Sequence, residues 1–140
     1  MGEVKAKLAD AGLIPRAAAV SRMSFDPVPA AAGLARRFVA NTLSGCPPES
    51  REAAVLVTSE LVTNAVLHGR TTVQLDVVTA RDRVLVAVTD GTSDRLQRRP
   101  RDDAREGGRG LVVVESVADR VGTIDHDAGK TVWAMLRLPA

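Results

Sequence analysis

The segment Ser59–Gly69 places a carboxylate, Glu60, and a carboxamide, Asn64, four residues apart within an otherwise apolar helical pattern. Side chains four residues apart lie on the same face of a helix. A helix with such a polar stripe can pack on a sheet and still present a proton acceptor and a neutral oxygen ligand to a cavity. That combination suits ATP with magnesium. A lone Glu-x-x-x-Asn, however, is more often the solvated face of an amphipathic helix.

Two downstream segments favour a ligand site over a solvated helix face. Val84–Gly91 is a β-branched run that ends in Asp90 and Gly91, as a strand that opens into a ligand-facing turn would. Gly107–Gly110 then precede an apolar run, which is typical of a glycine-rich turn before a helix. The backbone N–H groups of such a turn can bind phosphate oxygens, and Arg109 can add a charge-assisted contact. Each segment alone is weak evidence, but the order of the three is much more specific.

The residues and the order of these motifs resemble those of the GHKL (Bergerat-fold) ATPases, and within them those of the small anti-sigma-factor serine kinases. The resemblance covers the chain from about Ser24 to Pro139. It implies that Glu60 is a general base and that Asn64 holds magnesium. The other nucleotide contacts that it implies are Asp90, Gly91 and Thr131 around the adenine, and Gly108, Arg109, Gly110 and Leu111 beside the phosphates.

The first glycine box departs from the usual Asp-x-Gly-x-Gly pattern of that family. The pattern requires glycines at positions where this chain has Thr92 and Asp94. Because Gly91 follows Asp90 directly, the turn must differ in shape. We therefore expect a poorer fit to adenine than to magnesium, with no change in the fold.

Proline and glycine divide the chain into alternating helices and strands. We predict an α+β fold, a two-layer α/β sandwich in which one mixed, mainly antiparallel sheet carries helices on one face. Residues 21–140 are expected to form the ATP-binding domain, and residues 1–20 an N-terminal extension that can be flexible. The predicted strands are Ser21–Phe25, Thr72–Thr79, Arg83–Thr89, Arg120–Asp125 and Thr131–Leu138, and the predicted helices are Ala30–Leu43, Glu49–His68 and Gly110–Ala118.

Composition and missing motifs argue against other classes of protein. The single cysteine, Cys46, excludes an internal disulfide, and with two histidines a cysteine/histidine zinc site has too few ligands. The chain contains neither a P-loop nor a Gly-x-Ser-x-Gly hydrolase motif. No apolar stretch reaches transmembrane length and no targeting segment is visible at the start, which predicts a cytoplasmic protein that does not contact a membrane.

Direct nucleic-acid binding is not predicted either. Aromatic residues make up 2% of the chain, too few for base-stacking platforms. The net charge is +2, and the arginines between the two glycine boxes alternate with acidic residues. That alternation is typical of a solvated loop, here an ATP lid, and no helix-turn-helix pattern accompanies it.

The sequence therefore predicts an ATP-binding regulator that resembles anti-sigma-factor serine/threonine kinases. Such a protein phosphorylates a small antagonist protein and sequesters a sigma factor. The alternative is a non-catalytic ATP-binding or sequestering module in transcriptional or signalling control. The resemblance also suggests a homodimer through the first strand and helix, unless residues 1–20 bury that surface.

Overall fold

The computed structural model describes residues 3–68, 71–91, 112–127 and 129–139. Residues 112–117 are helical. The predicted phosphate contacts at Gly108, Arg109, Gly110 and Leu111 lie outside the described residues. The helices are α1 (Glu3–Asp10), α2 (Ala30–Thr42) and α3 (Pro48–His68), and the strands are β1 (Ala19–Phe25), β2 (Val73–Thr79), β3 (Arg83–Asp90), β4 (Arg120–His126) and β5 (Gly129–Arg137).

The strands form one sheet in the order β1-β2-β3-β5-β4, and each of its four pairings is antiparallel. The predicted α+β fold with a mainly antiparallel sheet is thus confirmed. β3 is central, and Val84 to Val88 are all buried because both faces of this strand are covered. A continuous apolar run of this length is the pattern that such a strand requires.

α2 and α3 cover one face of the sheet. The buried side chains of α3 recur at intervals of three and four residues, for example Ala54, Val57 and Leu61, and this spacing forms one apolar stripe. The stripe packs on Val86 and Val88 of β3. We call this packing the helix-side core.

α1 covers the opposite face of the sheet, which the sequence did not predict. Val4 and Leu8 are one helical turn apart and are both buried. They belong to a separate apolar cluster, which we call the second-face core. Its buried members are Val4, Leu8, Leu13, Ile14, Ala18, Val78, Leu85, Ala87, Trp133 and Met135. The division of the chain at residue 20 stays a prediction.

A glycine ends α1 and turns the chain back toward the sheet. Gly12 has a φ of 77°, in the left-handed region that glycine adopts without strain. Its N–H donates to the carbonyl of Ala9, and the N–H of Leu13 donates to the carbonyl of Leu8, which is the Schellman pattern. Arg83 of β3 then donates to the Leu13 carbonyl at 3.0 Å. α1 is therefore fixed to the sheet at its C-terminal end.

Among the residues that the structure describes, no helix is long and apolar enough to cross a membrane.

Candidate functional site

α3 presents the predicted Glu60 and Asn64 on one side of the helix. Both side chains are half-buried, next to the fully packed Leu61 and Ala65. α3 lies across β3 and β5. A carboxylate and a carboxamide therefore stand at the border between the helix-side core and solvent, where a ligand can reach them.

Asp90 ends β3 on the same side of the sheet. Side chains alternate between the faces of a strand, so Asp90 shares the face of Val88 in the helix-side core. It is 7% exposed and stands opposite Val73, the first residue of β2. Because β2 begins five residues after His68 ends α3, Asp90 and the C-terminal end of α3 lie at the same end of the sheet.

The backbone around Asp90 is held from two sides. The N–H of Gly91 donates to the Thr71 hydroxyl at 2.9 Å. On the other side, the backbone of Gly129 passes so close that a Cβ atom there would lie 2.0 Å from the Asp90 carbonyl oxygen. The position of the Asp90 carboxylate thus depends on Thr71 and on the absence of a side chain at residue 129.

Thr131 lies on the opposite face of the sheet from Asp90, and its predicted contact with adenine stays a prediction. It alternates with Val132 of the helix-side core and shares the face of Trp133. Its hydroxyl is fully buried and lies 2.6 Å from the Thr89 hydroxyl and 2.7 Å from His126 Nε2. The physical reason is the two-residue period of the strand, which turns neighbouring residues to opposite faces.

Lys130, the residue before Thr131, lies on the helix side of the sheet. It stands directly opposite Asp90 on β3 and opposite Asp125 on β4, so the three side chains form a cross-strand row on the helix side. The sequence analysis did not name Lys130. Alternation along β5 from the apolar Val132 puts Lys130 on the helix side and Thr131 on the opposite face. A cation beside Asp90 adds a hydrogen-bond donor at that edge of the site.

A hydrogen bond ties α2 to α3 beside Glu60. Arg36 Nη1 of α2 donates to the Ser59 hydroxyl at 3.0 Å. Ser59 directly precedes Glu60, so this bond limits rotation of α3 relative to α2. Arg36 and Ser59 thus join the two helices next to Glu60.

The donor set fits a magnesium ion bound mainly through phosphate oxygens. In the described part of the chain, no group of three His, Cys, Asp or Glu side chains could hold a metal ion alone. Magnesium in nucleotide sites commonly has one or two protein ligands and completes its shell with phosphates and water. A single carboxamide oxygen from Asn64 agrees with that arrangement, and the buried Asp90 carboxylate agrees with recognition of an amine by an acceptor.

A comparison with protein-family models matches residues 25–136 to the histidine kinase-like ATPase domain. Among solved structures, the RsbU and RsbW domains of Rv1364c from Mycobacterium tuberculosis share the fold, with a TM-score of 0.62 and 20% sequence identity. The match covers 86% of this chain and 32% of that one, so the chain spans about a third of that structure's length. The search of curated proteins finds no match. α1 lies before the matched residues.

Proposed function

The chain belongs to the histidine kinase-like ATPase domain family, and from this membership we propose that it is an ATP-dependent protein serine/threonine kinase of the anti-sigma-factor type. It phosphorylates a small antagonist protein and sequesters a sigma factor. The observation that carries the proposal is the buried Asp90, which faces the helix side at the end of the sheet where α3 presents Asn64. A fold shared with a structure named for an RsbW domain supports a regulator of this type.

Binding of ATP falls to three sets of residues in this proposal. Asp90 accepts a hydrogen bond from the exocyclic amine of adenine, because an ionised carboxylate is an acceptor only. Asn64 supplies its carboxamide oxygen to magnesium. The phosphate contacts are assigned to Gly108, Arg109, Gly110 and Leu111, whereas Gly91 belongs with Asp90 at the adenine. Backbone N–H groups at a helix start suit phosphate oxygens.

Catalysis in this proposal depends mostly on positioning. Bound ATP supplies the γ-phosphoryl group. Glu60 accepts the proton of the serine or threonine hydroxyl as the hydroxyl oxygen bonds to phosphorus and the bond to the bridging oxygen breaks. The half-buried place of Glu60 on α3 leaves its carboxylate accessible to a partner protein. Arg36 keeps that part of α3 in place through Ser59.

The alternative in this proposal is a non-catalytic module that binds ATP and sequesters a partner. Two measurements separate it from a kinase. Calorimetric titration with Mg-ATP tests nucleotide binding, and incubation with γ-labelled ATP and the purified antagonist tests transfer. Binding together with transfer supports the kinase, whereas binding without transfer to any retained partner supports the module. The homodimer and the cytoplasmic location remain proposals.

Asn64→Ala is expected to weaken binding of Mg-ATP by about tenfold to a hundredfold, the worth of a hydrogen-bonding or ligand group to a charged partner. Alanine favours a helix, so the fold is retained. Titration with ATP in the presence and absence of magnesium measures the effect. Thr63→Ala, at an exposed position of the same helix, is the control and should bind like wild type. Equal Mg-ATP affinities for Asn64→Ala and wild type would remove Asn64 from the metal site.

Asp90→Asn has a different expected signature. The amide keeps the size of the side chain but replaces one acceptor oxygen by a donor, so preference for ATP over GTP should be lost with or without magnesium. Paired titrations with the two nucleotides measure that preference. Asp125→Asn, at the exposed end of the same cross-strand row, is the matched control. An Asp90→Asn variant that still prefers ATP would contradict the adenine assignment.

A further inference from the structure

A continuous chain of hydrogen bonds connects α1 to the back of the nucleotide site. Lys7 Nζ of α1 lies 3.1 Å from His126 Nδ1, and Glu3 Oε2 lies 3.4 Å from the same nitrogen. His126 Nε2 lies 2.7 Å from the Thr131 hydroxyl. Thr131 in turn lies 2.6 Å from the hydroxyl of Thr89. The chain therefore joins one helix to β4, β5 and β3.

The inner part of this chain of hydrogen bonds is buried, whereas Lys7 and Glu3 lie at its partly exposed outer end. His126 is 9% exposed and Thr131 is fully buried. Throughout the described residues, each buried side-chain nitrogen and oxygen has a hydrogen-bond partner. Inside a protein such a bond is electrostatically stronger than in water, and a satisfied network stiffens what it joins. A path of hydrogen bonds thus runs from α1 to Thr131 and Thr89.

The two threonines are direct chain neighbours of the residues that face the ligand. Thr89 precedes Asp90 on β3, and Thr131 follows Lys130 on β5, with each pair turned to opposite faces of the sheet. The placement of the threonine pair is therefore linked through the backbone to that of Asp90 and Lys130 on the other face. Gly129 lies against the Asp90 backbone at the same strand end, so the ends of β3 and β5 are closely packed there.

We propose that His126 is a positioning residue for nucleotide binding, through which docking of α1 on the second face sets the placement of Asp90 and Lys130. This inference rests on the proposed ATP site, and it concerns α1, an element that lies before the matched family residues. Coupling between two sites is reciprocal. Bound nucleotide must therefore stabilise the docked α1 as much as docked α1 strengthens nucleotide binding.

Trp133 provides a direct reporter of this coupling. It is the only tryptophan of the chain and packs in the second-face core with Val4 and Leu8 of α1. It lies two residues after Thr131 on the same face of β5. Gly122 leaves room for its ring, since a Cβ there would lie 2.4 Å from the indole. We therefore expect the fluorescence of Trp133 to report the docking of α1 without any added label.

The experiment is a double-mutant cycle in the full chain, read by calorimetric ATP affinity and by Trp133 fluorescence. The variants are Lys7→Met, His126→Ala and the double variant. Each single change should raise the Kd for Mg-ATP by about threefold to tenfold, the worth of one hydrogen bond. The double variant should bind no more weakly than His126→Ala, because the two residues act in one chain. Wild-type Trp133 fluorescence should change with ATP, and this change should be lost in Lys7→Met.

Two controls separate positioning from general effects. Lys5→Met removes the same charge from α1 without a contact to His126, and Val20→Ala weakens the second-face core on β1, away from the hydrogen-bond chain. Both should keep wild-type ATP affinity, even where the melting temperature falls. Equal losses of affinity in Lys5→Met and Lys7→Met would show a charge effect and overturn the inference.

The outcomes also distinguish this inference from the proposed function. Variants that lose stability but bind Mg-ATP like wild type would show that Lys7 and His126 only hold the fold, which overturns the inference and leaves the ATP site intact. Additive losses in the cycle would likewise overturn it. A wild-type protein that binds no Mg-ATP would contradict the proposed function, and the inference would fall with it.

Discussion

Glu60→Gln is expected to lower phosphoryl transfer by about 10²–10⁴-fold, the usual contribution of a positioned general base, while ATP affinity stays near the wild-type value. Glutamine keeps the length of the side chain and has a similar helix propensity, so α3 should fold unchanged. What it removes is the carboxylate that accepts the hydroxyl proton. Because Asp90 and Asn64 are untouched, nucleotide binding loses no contact.

Transfer of label from γ-labelled ATP to the purified antagonist measures this effect, beside ATP titrations of both proteins. Glu52→Gln is the matched control, since Glu52 is an exposed carboxylate two turns earlier on α3. It should transfer phosphate like wild type. Unimpaired transfer by Glu60→Gln would take Glu60 out of the mechanism.

The same pair of measurements decides between the two classes of regulator. A kinase shows transfer in wild type and almost none in Glu60→Gln, with partner binding preserved in both. A sequestering module shows no transfer in either form. The half-buried carboxylate of Glu60 fits both descriptions geometrically, so only the chemical step separates them.

Local sequence patterns were enough to predict most of the elements. The helix predicted at Glu49–His68 is observed as Pro48–His68, and the strand predicted at Arg83–Thr89 is observed as Arg83–Asp90. Both segments have strong signals: an apolar stripe of helical spacing in the first and an uninterrupted apolar run in the second. Glu60, Asn64 and Asp90 accordingly lie on the elements where the motifs placed them.

Sequence patterns were insufficient where the outcome depends on packing between distant segments. α1 has only eight residues, and the spacing of Val4 and Leu8 gains meaning only against the second face of the sheet that it covers. The motif placed Thr131 on the last strand, but it did not specify which face of the sheet the side chain is on. A register shift of one residue moves every side chain of a strand to the other face of the sheet. A motif match alone does not determine that register.

Gly129→Ala is the second change with a large expected effect. The added methyl group would lie 2.0 Å from the Asp90 carbonyl oxygen and 2.9 Å from the Gly91 Cα, so two backbone segments must separate. We expect the free energy of unfolding to fall by about 3 kcal/mol, the upper end of the range for overpacking, because neither neighbour is a flexible side chain. ATP affinity should fall with it, since the displaced backbone carries the Asp90 carboxylate.

Denaturant unfolding measures the loss of stability, and titration of the folded variant measures ATP binding. Gly45→Ala is the matched control: the same methyl group meets no atom within 4 Å there, and its backbone is not in the left-handed region. Its stability should stay within about 0.5 kcal/mol of wild type, as for an ordinary surface change. If Gly129→Ala were as stable as Gly45→Ala and bound ATP normally, the close approach of β5 to Asp90 would not determine the site. A stable variant with weakened ATP binding would instead show that the strand ends yield locally, and that the geometry at Asp90 is set by residue 129 rather than by the strength of the sheet.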